Sequence, residues 1–293
     1  MNSTRGNQPV FRFAPSPNGR LHIGHAYSAL LNRKFAREIG GRLLLRIEDT
    51  DLVRCSPLLE KEMLEDLQWL GFDWDEEPLR QSDRLDIYAR NLARLEKMGL
   101  VYPAFMSRSE VKSHIRQKQS EGLVWPHDPD GAPHYPGADR VLDEETRHAL
   151  LEQGRPNALR LDMEKALSLV SGPLYRDEET AGRKEKITAD PARWGDIILS
   201  GKDIPASYHL ASVVDDALSG VTHVVRGRDL YSATSVHRLL QELLGFQAPL
   251  YHHHDLVLDE TGRKLSKSSQ DTSIAELREA GVSADDIRKS VGI

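Results

Sequence analysis

A pair of histidines three residues apart lies where a helix is predicted to begin. His22 and His25 follow a Ser-Pro-Asn-Gly turn signal at residues 16–19, and Gly24 would let the backbone approach a ligand closely. The start of a helix leaves backbone N–H groups unpaired and carries partial positive charge, so it suits phosphate. Both imidazoles could donate to oxygens that gain charge during attack at phosphorus, although such histidines also serve as capping or packing residues. The pattern indicates a candidate phosphate site.

A lysine-containing loop late in the chain is the second candidate for phosphate chemistry. Lys264, Ser266 and Lys267 lie just after the last predicted strand. Lysine presents a compact charge on a flexible stem, which suits the β- and γ-phosphates of a nucleotide. Taken alone, such a loop is equally well explained as a solvated surface segment, so its interpretation depends on the histidine pair.

A pattern of alternating strands and helices positions these residues. Apolar runs and turn signals predict strand, helix and strand within residues 10–47, which form a βαβ unit with parallel strands. Helices are predicted at 58–70 and 85–98, and a polar helix near 109–120 precedes a loop-rich tract. The alternation then returns, with strands predicted at 196–200, 221–226 and 250–258, helices at 208–218 and 232–244, and two short helices after residue 268.

The predicted fold class is α/β. It consists of a Rossmann-like nucleotide-binding domain with a parallel sheet, interrupted by an inserted α+β subdomain and followed by a short helical tail. Residues 1–101 and 191–250 are predicted to form the two halves of the catalytic domain. Residues 102–190 are predicted to form the insertion, and residues 251–293 the lysine loop and the C-terminal helices.

Composition places the chain among ordinary globular proteins. It has 293 residues, of which 39% are hydrophobic and 29% charged, and a formal net charge of −6. No apolar run reaches the ~20 residues of a membrane helix, and the start of the chain is too polar for a signal peptide. The single cysteine, Cys55, excludes an internal disulfide and a multi-thiolate metal site, and it fits a reducing, cytoplasmic setting.

The charge is distributed unevenly along the chain. Residues 1–50 carry eight Lys/Arg against three Asp/Glu, whereas residues 51–100 carry seven against twelve. A basic segment on an acidic body predicts that contact with polyanions is confined to one site. A solvated helix face is the alternative explanation.

Two motifs and several shorter segments resemble a known family. Residues 22–25 (His-Ile-Gly-His) and 264–268 (Lys-Leu-Ser-Lys-Ser) resemble the HIGH and KMSKS signatures of class I aminoacyl-tRNA synthetases. Further segments similar to the glutamate-specific branch of that family lie at 12–16, 46–51, 208–216 and 225–229. The length resembles that of a short paralogue within this branch, which implies that the protein has no anticodon-binding domain.

The resemblance implies a role for each matching position. Catalysis would depend on His22, His25 and Lys267. ATP would be bound by Gly24, His22, His25, Lys264, Ser266 and Lys267. L-Glutamate would be bound by Arg12, Phe13, Ala14, Pro15, Ser16, Glu48, Tyr208 and Arg226. Guanidinium groups suit the two carboxylates because their planar fork binds bidentately, and Glu48 would take the α-ammonium group or, alternatively, pair with Arg46.

The resemblance also implies a reaction and its partners. ATP, arriving with Mg²⁺, would activate L-glutamate to glutamyl-adenylate, and the glutamyl group would pass to the queuosine base in the anticodon loop of tRNA(Asp). The protein would act as a cytoplasmic monomer with no membrane partner. The alternatives are a truncated synthetase that charges the 3′ end of tRNA(Glu), a non-catalytic RNA-binding paralogue, and a small-molecule ligase or nucleotidyltransferase sharing only the first motif and the sheet.

One departure from the family concerns zinc. Many members hold zinc in the insertion through a Cys-x-Cys pair, a tyrosine and a later cysteine, whereas here Ala104 and Met106 replace the pair and Asp139 the last cysteine. Because a structural zinc site needs about four ligands, mostly nitrogen or sulfur, no structural zinc is predicted. His114, His127 and His134 could form a substitute metal site, or they are exposed loop histidines. His252, His253 and His254 form a further run. Successive strand positions face opposite sides, so at most two of these rings converge, and we interpret them as strand or nucleotide-pocket residues.

Overall fold

The computed structural model describes residues 8–180, 182–201, 204–258 and 272–293. In these ranges the helices are α1 (Ile23–Glu38), α2 (Pro57–Trp69), α3 (Leu85–Lys97), α4 (Arg108–Ser120), α5 (Glu144–Glu152), α6 (Met163–Ser168), α7 (Tyr208–Leu218), α8 (Ala233–Leu244), α9 (Ile274–Glu279) and α10 (Ala284–Ser290). The strands are β1 (Val10–Phe13), β2 (Arg42–Ile47), β3 (Leu79–Arg80), β4 (Val101–Ala104), β5 (Ala158–Leu161), β6 (Tyr175–Thr180), β7 (Arg183–Thr188), β8 (Ile198–Ser200), β9 (His223–Gly227) and β10 (Leu250–His254). Within these ranges no helix has the length and apolar character needed to cross a membrane.

The βαβ unit predicted at the start of the chain is confirmed. β1 and β2 are parallel neighbours, with Phe13 opposite Leu45, and β3 extends the same sheet as a parallel neighbour of β2. α1 connects β1 to β2 and buries small and apolar side chains, among them Ala26, Ala29 and Leu30. These residues recur at helical spacing, so one face of α1 packs against the sheet.

Both helices predicted after this unit are present. At the start of α2, the Ser56 hydroxyl accepts a hydrogen bond from the Leu59 N–H at 3.2 Å, and Pro57 occupies the first helical position. α3 ends just before Gly99, whose φ of 69° lies in the left-handed region that glycine adopts without strain. Local capping chemistry therefore sets the limits of these helices.

The other half of the parallel arrangement is a second sheet of four strands, in the order β7-β6-β10-β9, beside the three-stranded sheet of β1, β2 and β3. β9 and β10 are parallel neighbours, with Arg226 opposite His253. α8 connects them and ends at Gly245, which has a φ of 67°. Where the two halves meet, the Thr222 N–H donates to the Val10 carbonyl at 2.9 Å, so β9 lies beside β1. The predicted parallel arrangement is confirmed in both halves.

Strand pairing in the middle of the chain differs from the expectation. The strand predicted at 196–200 forms as β8, but it pairs antiparallel with β5, which pairs antiparallel with β4. The β6–β7 hairpin, which falls in the unit predicted at 102–190, pairs through β6 with β10, which crosses the predicted boundary between residues 250 and 251. The hairpin is rich in charge and resembles a surface segment, yet Arg176 and Glu178 are buried in it. Their partners are distant in sequence, so local patterns do not reveal this pairing.

Two large apolar clusters form most of the core. One lies around α1, β1, β2 and α2, and the other packs α3, α7 and α8 together. The two short helices predicted at the C-terminal end are present, and Ile274 of α9 and Ile287 of α10 belong to the first cluster. The Ile274 N–H donates to the Leu21 carbonyl at 2.8 Å, so this tail is attached directly beside the start of α1.

Candidate active site

A cavity of 480 Å³ opens at the carboxyl ends of β1, β2, β9 and β10. This edge of a parallel sheet is where α/β proteins bind ligands. The predicted site residues that the structure describes all line this cavity: Arg12, Phe13, Ala14, Pro15, Ser16, His22, Gly24, His25, Glu48, Tyr208 and Arg226. The three others, Lys264, Ser266 and Lys267, lie outside the described residues. The fold thus brings segments from distant parts of the chain to one cavity.

The two histidines also cap the start of α1. Nδ1 of His22 accepts a hydrogen bond from the Gly24 N–H at 3.1 Å, and Nδ1 of His25 accepts one from the His22 N–H at 3.2 Å. The capping interpretation is therefore correct, and it is compatible with phosphate binding. Because Nδ1 is an acceptor in both rings, each neutral imidazole carries its proton on Nε2. The ring centroids lie 3.8 Å apart, so two N–H donors stand close together at the cavity.

Gly24 makes room for one of these rings. A Cβ at this position would lie 3.0 Å from Cε1 and 3.1 Å from Nδ1 of His22. The sequence predicts close approach of a ligand to this backbone, and the structure shows that the same glycine also accommodates the capping imidazole. A larger residue would have to displace that ring.

A network of buried charges supports the floor of the cavity. Asp216 accepts a hydrogen bond from Nε of Arg12 at 3.1 Å and also contacts Arg46. Arg46 donates to Oε1 of Glu48 at 2.9 Å, and Ser212 donates to the same oxygen at 3.1 Å. Burial alone would raise the pKa of Asp216, but the two guanidinium groups outweigh it and hold that pKa below its ordinary value. The ion pair of Glu48 with Arg46 is present, and Glu48 also lines the cavity.

Arg226 differs from Arg12 because its contacts are with neutral groups. Nη1 donates to the Tyr208 hydroxyl at 3.0 Å, and Nε donates to His253 at 3.2 Å. Nη2 donates to the Leu230 carbonyl at 3.2 Å. In the part of the chain that the structure describes, no carboxylate lies within ion-pair distance of this guanidinium, which is only 5% exposed. A buried charge without a counter-charge is costly, so this side of the cavity favours an anionic ligand.

The loop that follows β1 is held against β2. The Pro15 carbonyl accepts a hydrogen bond from the Glu48 N–H at 3.0 Å. The Ser16 hydroxyl lies 3.6 Å from the sulfur of Cys55, so the single cysteine supports the loop predicted to bind glutamate. Both contacts fix the backbone of this loop at the cavity wall.

Sequence reasoning misses part of the cavity lining and the groups behind it. The lining residues that it does not predict are Asn18, Ser28, Val225, Gly227, Asp229, Leu230, Leu256 and Val257, whereas nucleotide-pocket lining was one of its two interpretations of His254. Most of them lie at the carboxyl ends of β1, β9 and β10, and that position is the signal that could identify them. Asp216 and Glu178 give no comparable signal, because each is recognised only by the charged side chains that it meets in the fold.

The residues at the family's zinc positions do not form a zinc site. Ala104 is buried, and the Tyr135 hydroxyl donates to Asp139. The same carboxylate accepts a hydrogen bond from the Phe105 N–H at 2.9 Å, and the tyrosine oxygen accepts one from the Met106 N–H at 3.2 Å. The phenol and the carboxylate are therefore engaged with each other and with the backbone, and no thiolate is available. This donor set does not fit zinc.

The other histidines have separate surroundings. Among the described residues no group of three or more His, Cys, Asp or Glu side chains is arranged to hold a metal ion. Ring nitrogens of His127 and His134 contact backbone carbonyl oxygens at 3.0 and 2.9 Å. On β10, His254 lines the cavity, whereas His253 contacts Arg226 from behind. Adjacent strand positions thus face different surroundings, as the alternation of a strand predicts.

Fold and cavity together define the class of protein. A parallel sheet with a cavity at the carboxyl ends of its strands, and with N–H donors at the start of the first crossover helix, is the arrangement of a Rossmann-like nucleotide-binding enzyme. A family model described as tRNA synthetases class I (E and Q), catalytic domain, matches residues 10–291. The chain therefore belongs to this family of aminoacyl-tRNA synthetases, which are ligases, and the predicted fold class is confirmed.

Known relatives include both short and long proteins. The chain is 42% identical to the glutamyl-Q tRNA(Asp) synthetase of Rhodobacter capsulatus, over 97% of this chain and 100% of that protein. It is 38% identical to the glutamate–tRNA ligase of Prochlorococcus marinus, over 92% of this chain and 54% of that protein. The crystal structure of a glutamate tRNA ligase from Elizabethkingia meningosepticum, in complex with its amino acid, superposes with a TM-score of 0.73 at 32% identity, covering 89% of this chain and 52% of that one. The chain spans about half the length of the two ligases.

Proposed function

We propose that this protein activates L-glutamate with ATP and transfers the glutamyl group to the queuosine base of tRNA(Asp). The observation that carries the glutamate assignment is Arg226, a buried guanidinium at the cavity whose described contacts are neutral. A substrate carboxylate would supply the counter-charge and can bind the guanidinium bidentately. The relative from Rhodobacter capsulatus, which the chain matches along its whole length, supports the choice of acceptor.

The two arginines make unequal contributions to glutamate binding. Asp216 already offsets part of the charge of Arg12, whereas no described carboxylate offsets that of Arg226. Arg226 therefore contributes more electrostatic attraction for a carboxylate, and Arg12 contributes chiefly a fixed hydrogen-bonding direction. Glu48 takes the α-ammonium group, and the Arg46 and Ser212 contacts to its Oε1 hold the carboxylate in place.

Activation requires one displacement at phosphorus. A carboxylate oxygen of glutamate forms a bond to the α-phosphorus of ATP while the bond from that phosphorus to the bridging oxygen breaks, and pyrophosphate leaves with Mg²⁺ bound. No covalent enzyme intermediate is needed, so catalysis consists of positioning and charge stabilisation. The Nε2–H groups of His22 and His25 donate to the phosphate oxygens as negative charge develops on them. Lys267 contributes a cation for the β- and γ-phosphates.

Transfer completes the reaction. A hydroxyl oxygen of the queuosine base attacks the carbonyl carbon of glutamyl-adenylate, an ester bond forms, the hydroxyl loses its proton, and AMP leaves. Residues 8–50, the part of the basic segment that the structure describes, include β1, α1 and β2 beside the cavity, whereas most of the remaining chain is acidic. RNA contact is therefore local, and its affinity falls as the salt concentration rises.

One labelling experiment tests the acceptor. The protein is incubated with ATP, labelled L-glutamate and purified tRNA(Asp) that contains or lacks queuosine, with tRNA(Glu) in a separate reaction. We expect label only on queuosine-containing tRNA(Asp). Label on tRNA(Glu) instead would support 3′-end charging, and absence of label from every RNA would support a non-catalytic paralogue.

Lys267→Ala tests the activation step. Loss of this cation should lower the rate of glutamate-dependent ATP–pyrophosphate exchange by about 100-fold or more, because charge on the departing pyrophosphate is no longer stabilised. Lys112→Ala removes an exposed lysine of α4 and is the matched control, with wild-type exchange expected. Unchanged exchange in Lys267→Ala would refute the role of this lysine.

A further inference from the structure

Behind Arg226 lies a chain of hydrogen bonds that leads away from the cavity into the β6–β7 hairpin. Nε of Arg226 donates to Nε2 of His253 at 3.2 Å. Nδ1 of His253 lies 2.6 Å from Oε1 of Glu178, and Oε2 of Glu178 accepts a hydrogen bond from Nε of Arg176 at 3.2 Å. We propose that Glu178 and His253 are positioning residues that hold Arg226 in the orientation required to bind the substrate carboxylate; this inference rests on the proposed function.

The contacts determine the tautomer of His253. Its Nε2 accepts from Arg226, so the ring proton must be on Nδ1, where it is donated to Glu178. The backbone N–H of His253 donates to the same carboxylate oxygen at 3.2 Å. Glu178 thus binds both the ring and the backbone of this residue, and Nε2 faces Arg226 and the Thr234 hydroxyl, which lies 3.1 Å from it.

The ionisation states agree with this arrangement. Burial lowers the pKa of His253 to about 4, so its ring is neutral at physiological pH. Burial by itself would raise the pKa of Glu178, but hydrogen bonds from His253 and Arg176 hold it below its ordinary value. Arg176 is buried beneath the ring of Tyr231, with its guanidinium carbon 4.1 Å from the ring centroid, and it neutralises Glu178 locally.

A neutral residue between the carboxylate and Arg226 has a specific advantage. Direct contact between Glu178 and Arg226 would fix the guanidinium, but it would also neutralise the charge that attracts the substrate. Neutral His253 holds the Arg226 guanidinium in place without bringing a carboxylate into contact with it. Thr234 and Leu230 accept from Nη2 in the same way, as neutral groups, so the positive charge remains available at the edge shared with Tyr208.

The test compares variants of His253 in glutamate-dependent ATP–pyrophosphate exchange, assayed with queuosine-containing tRNA(Asp) present. His253→Leu removes the acceptor for Nε of Arg226, and we expect the KM for glutamate to rise about tenfold or more. His253→Gln keeps a carbonyl oxygen that can accept from Arg226, so its KM should lie between wild type and His253→Leu. The KM for ATP should not change in either variant, because His253 does not line the cavity.

Glu178→Gln provides a second and milder perturbation. It removes the charge that favours the Nδ1–H tautomer, and its KM for glutamate should also fall between wild type and His253→Leu. Asp177→Asn makes the same chemical change at the exposed neighbouring position of β6 and should behave as wild type. Thermal melting of each variant checks that it is folded.

The outcomes separate this inference from the proposed function. Wild-type protein that shows no glutamate-dependent exchange contradicts the proposed function itself. Active wild type with an unchanged KM for glutamate in His253→Leu overturns the positioning role, as does a parallel rise in the KM for glutamate and for ATP. Equal rises in the KM for glutamate in His253→Gln and His253→Leu would show that the hydrogen-bond acceptor for Arg226 is irrelevant. That result would also overturn the positioning role.

Discussion

His22 shows how one side chain can serve both the fold and the proposed chemistry. Its Nδ1 accepts from the Gly24 N–H, and that bond leaves the ring proton on Nε2. In the opposite tautomer Nε2 would present a lone pair to phosphate oxygens and repel them. Helix capping therefore selects the protonation state that the proposed phosphate contact needs, and the capping and catalytic interpretations are two consequences of one geometry.

Gly24→Ala tests this coupling. The new Cβ would lie 3.0 Å from Cε1 of His22, so the imidazole must move away from its cap. We expect kcat for ATP–pyrophosphate exchange to fall about tenfold or more, because a donor to the charged phosphate is misplaced. Stability should change little, since alanine favours a helix over glycine by about 1 kcal/mol and offsets the lost cap.

Gly201→Ala is the control for that substitution. Its backbone lies outside the left-handed region, and the nearest atom to a new Cβ is 3.9 Å away, an ordinary contact. This variant should retain wild-type exchange. A wild-type kcat in Gly24→Ala would show that the position of the His22 ring does not matter to the reaction.

At the scale of elements, α2 and α9 meet around a carboxylate in an apolar setting. Asp66 of α2 is 1% exposed, and its Oδ1 lies 3.7 Å from Nη1 of Arg278 on α9. Burial raises the pKa of Asp66 to about 6, which the distant arginine only partly counteracts. Holding this carboxylate ionised at neutral pH therefore reduces the stability of the packing between these helices.

Asp66→Asn should stabilise the protein at neutral pH. The pKa of Asp66 is higher in the folded than in the unfolded chain, so the penalty is absent below about pH 4 and fully present above about pH 6. We expect the variant to exceed wild type in unfolding free energy at pH 7.5, with the difference shrinking by about 2 kcal/mol by pH 4.5. Denaturant titrations at both pH values measure it.

Asp86→Asn makes the same chemical change on the neighbouring helix α3 and is the matched control. Asp86 is exposed, with a 2.7 Å contact to Arg90 of the same helix. Removing this charge should leave the difference in unfolding free energy from wild type nearly independent of pH, since exposed ion pairs contribute little. A pH-independent difference in Asp66→Asn as well would contradict the raised pKa.

At the scale of the whole molecule, the interior between α7, α8 and β10 contains neutral histidines. Burial lowers the pKa of His209 to about 4, and burial together with Arg226 lowers that of His237. His253 behaves in the same way. Unfolded histidines have pKa values near 6.5, so the unfolded chain binds protons first as the pH falls. These groups stabilise the fold fully above about pH 6.5, and that contribution is lost toward pH 4.

His209→Phe should reduce this sensitivity to acid. The aromatic ring keeps the packing against Trp194 and Tyr208 but cannot be protonated. Wild type should lose ~2 kcal/mol more unfolding free energy than the variant between pH 7.5 and pH 5. His148→Phe, which replaces an exposed histidine of α5, should leave the wild-type pH dependence unchanged. Equal pH dependence in wild type and His209→Phe would contradict a neutral buried ring.

The elements and many of the site residues could be predicted from local patterns. Apolar spacing identified α1, Ser56 and Pro57 identified the start of α2, and glycines marked the ends of α3 and α8. Such signals act through neighbouring residues, so they can be read without a fold. The motif containing His22 and His25 was likewise visible as residue types at a particular spacing, whereas Arg12, Glu48 and Arg226 were identified through the resemblance to the family.

Only the tertiary structure decided which elements pair and which charges meet. β8 joins β5, β6 joins β10, and the partners of Arg226 come from α7, α8 and β10, with the β6–β7 hairpin behind His253. Strand pairing and buried ion pairs depend on contacts far apart in sequence, and a charged hairpin gives no local sign that Glu178 will be buried. The sequence alone therefore determined the family and the chemistry available to it. The fold determined which arginine at the cavity is paired with a described carboxylate and which is not, because that depends on every neighbour around it.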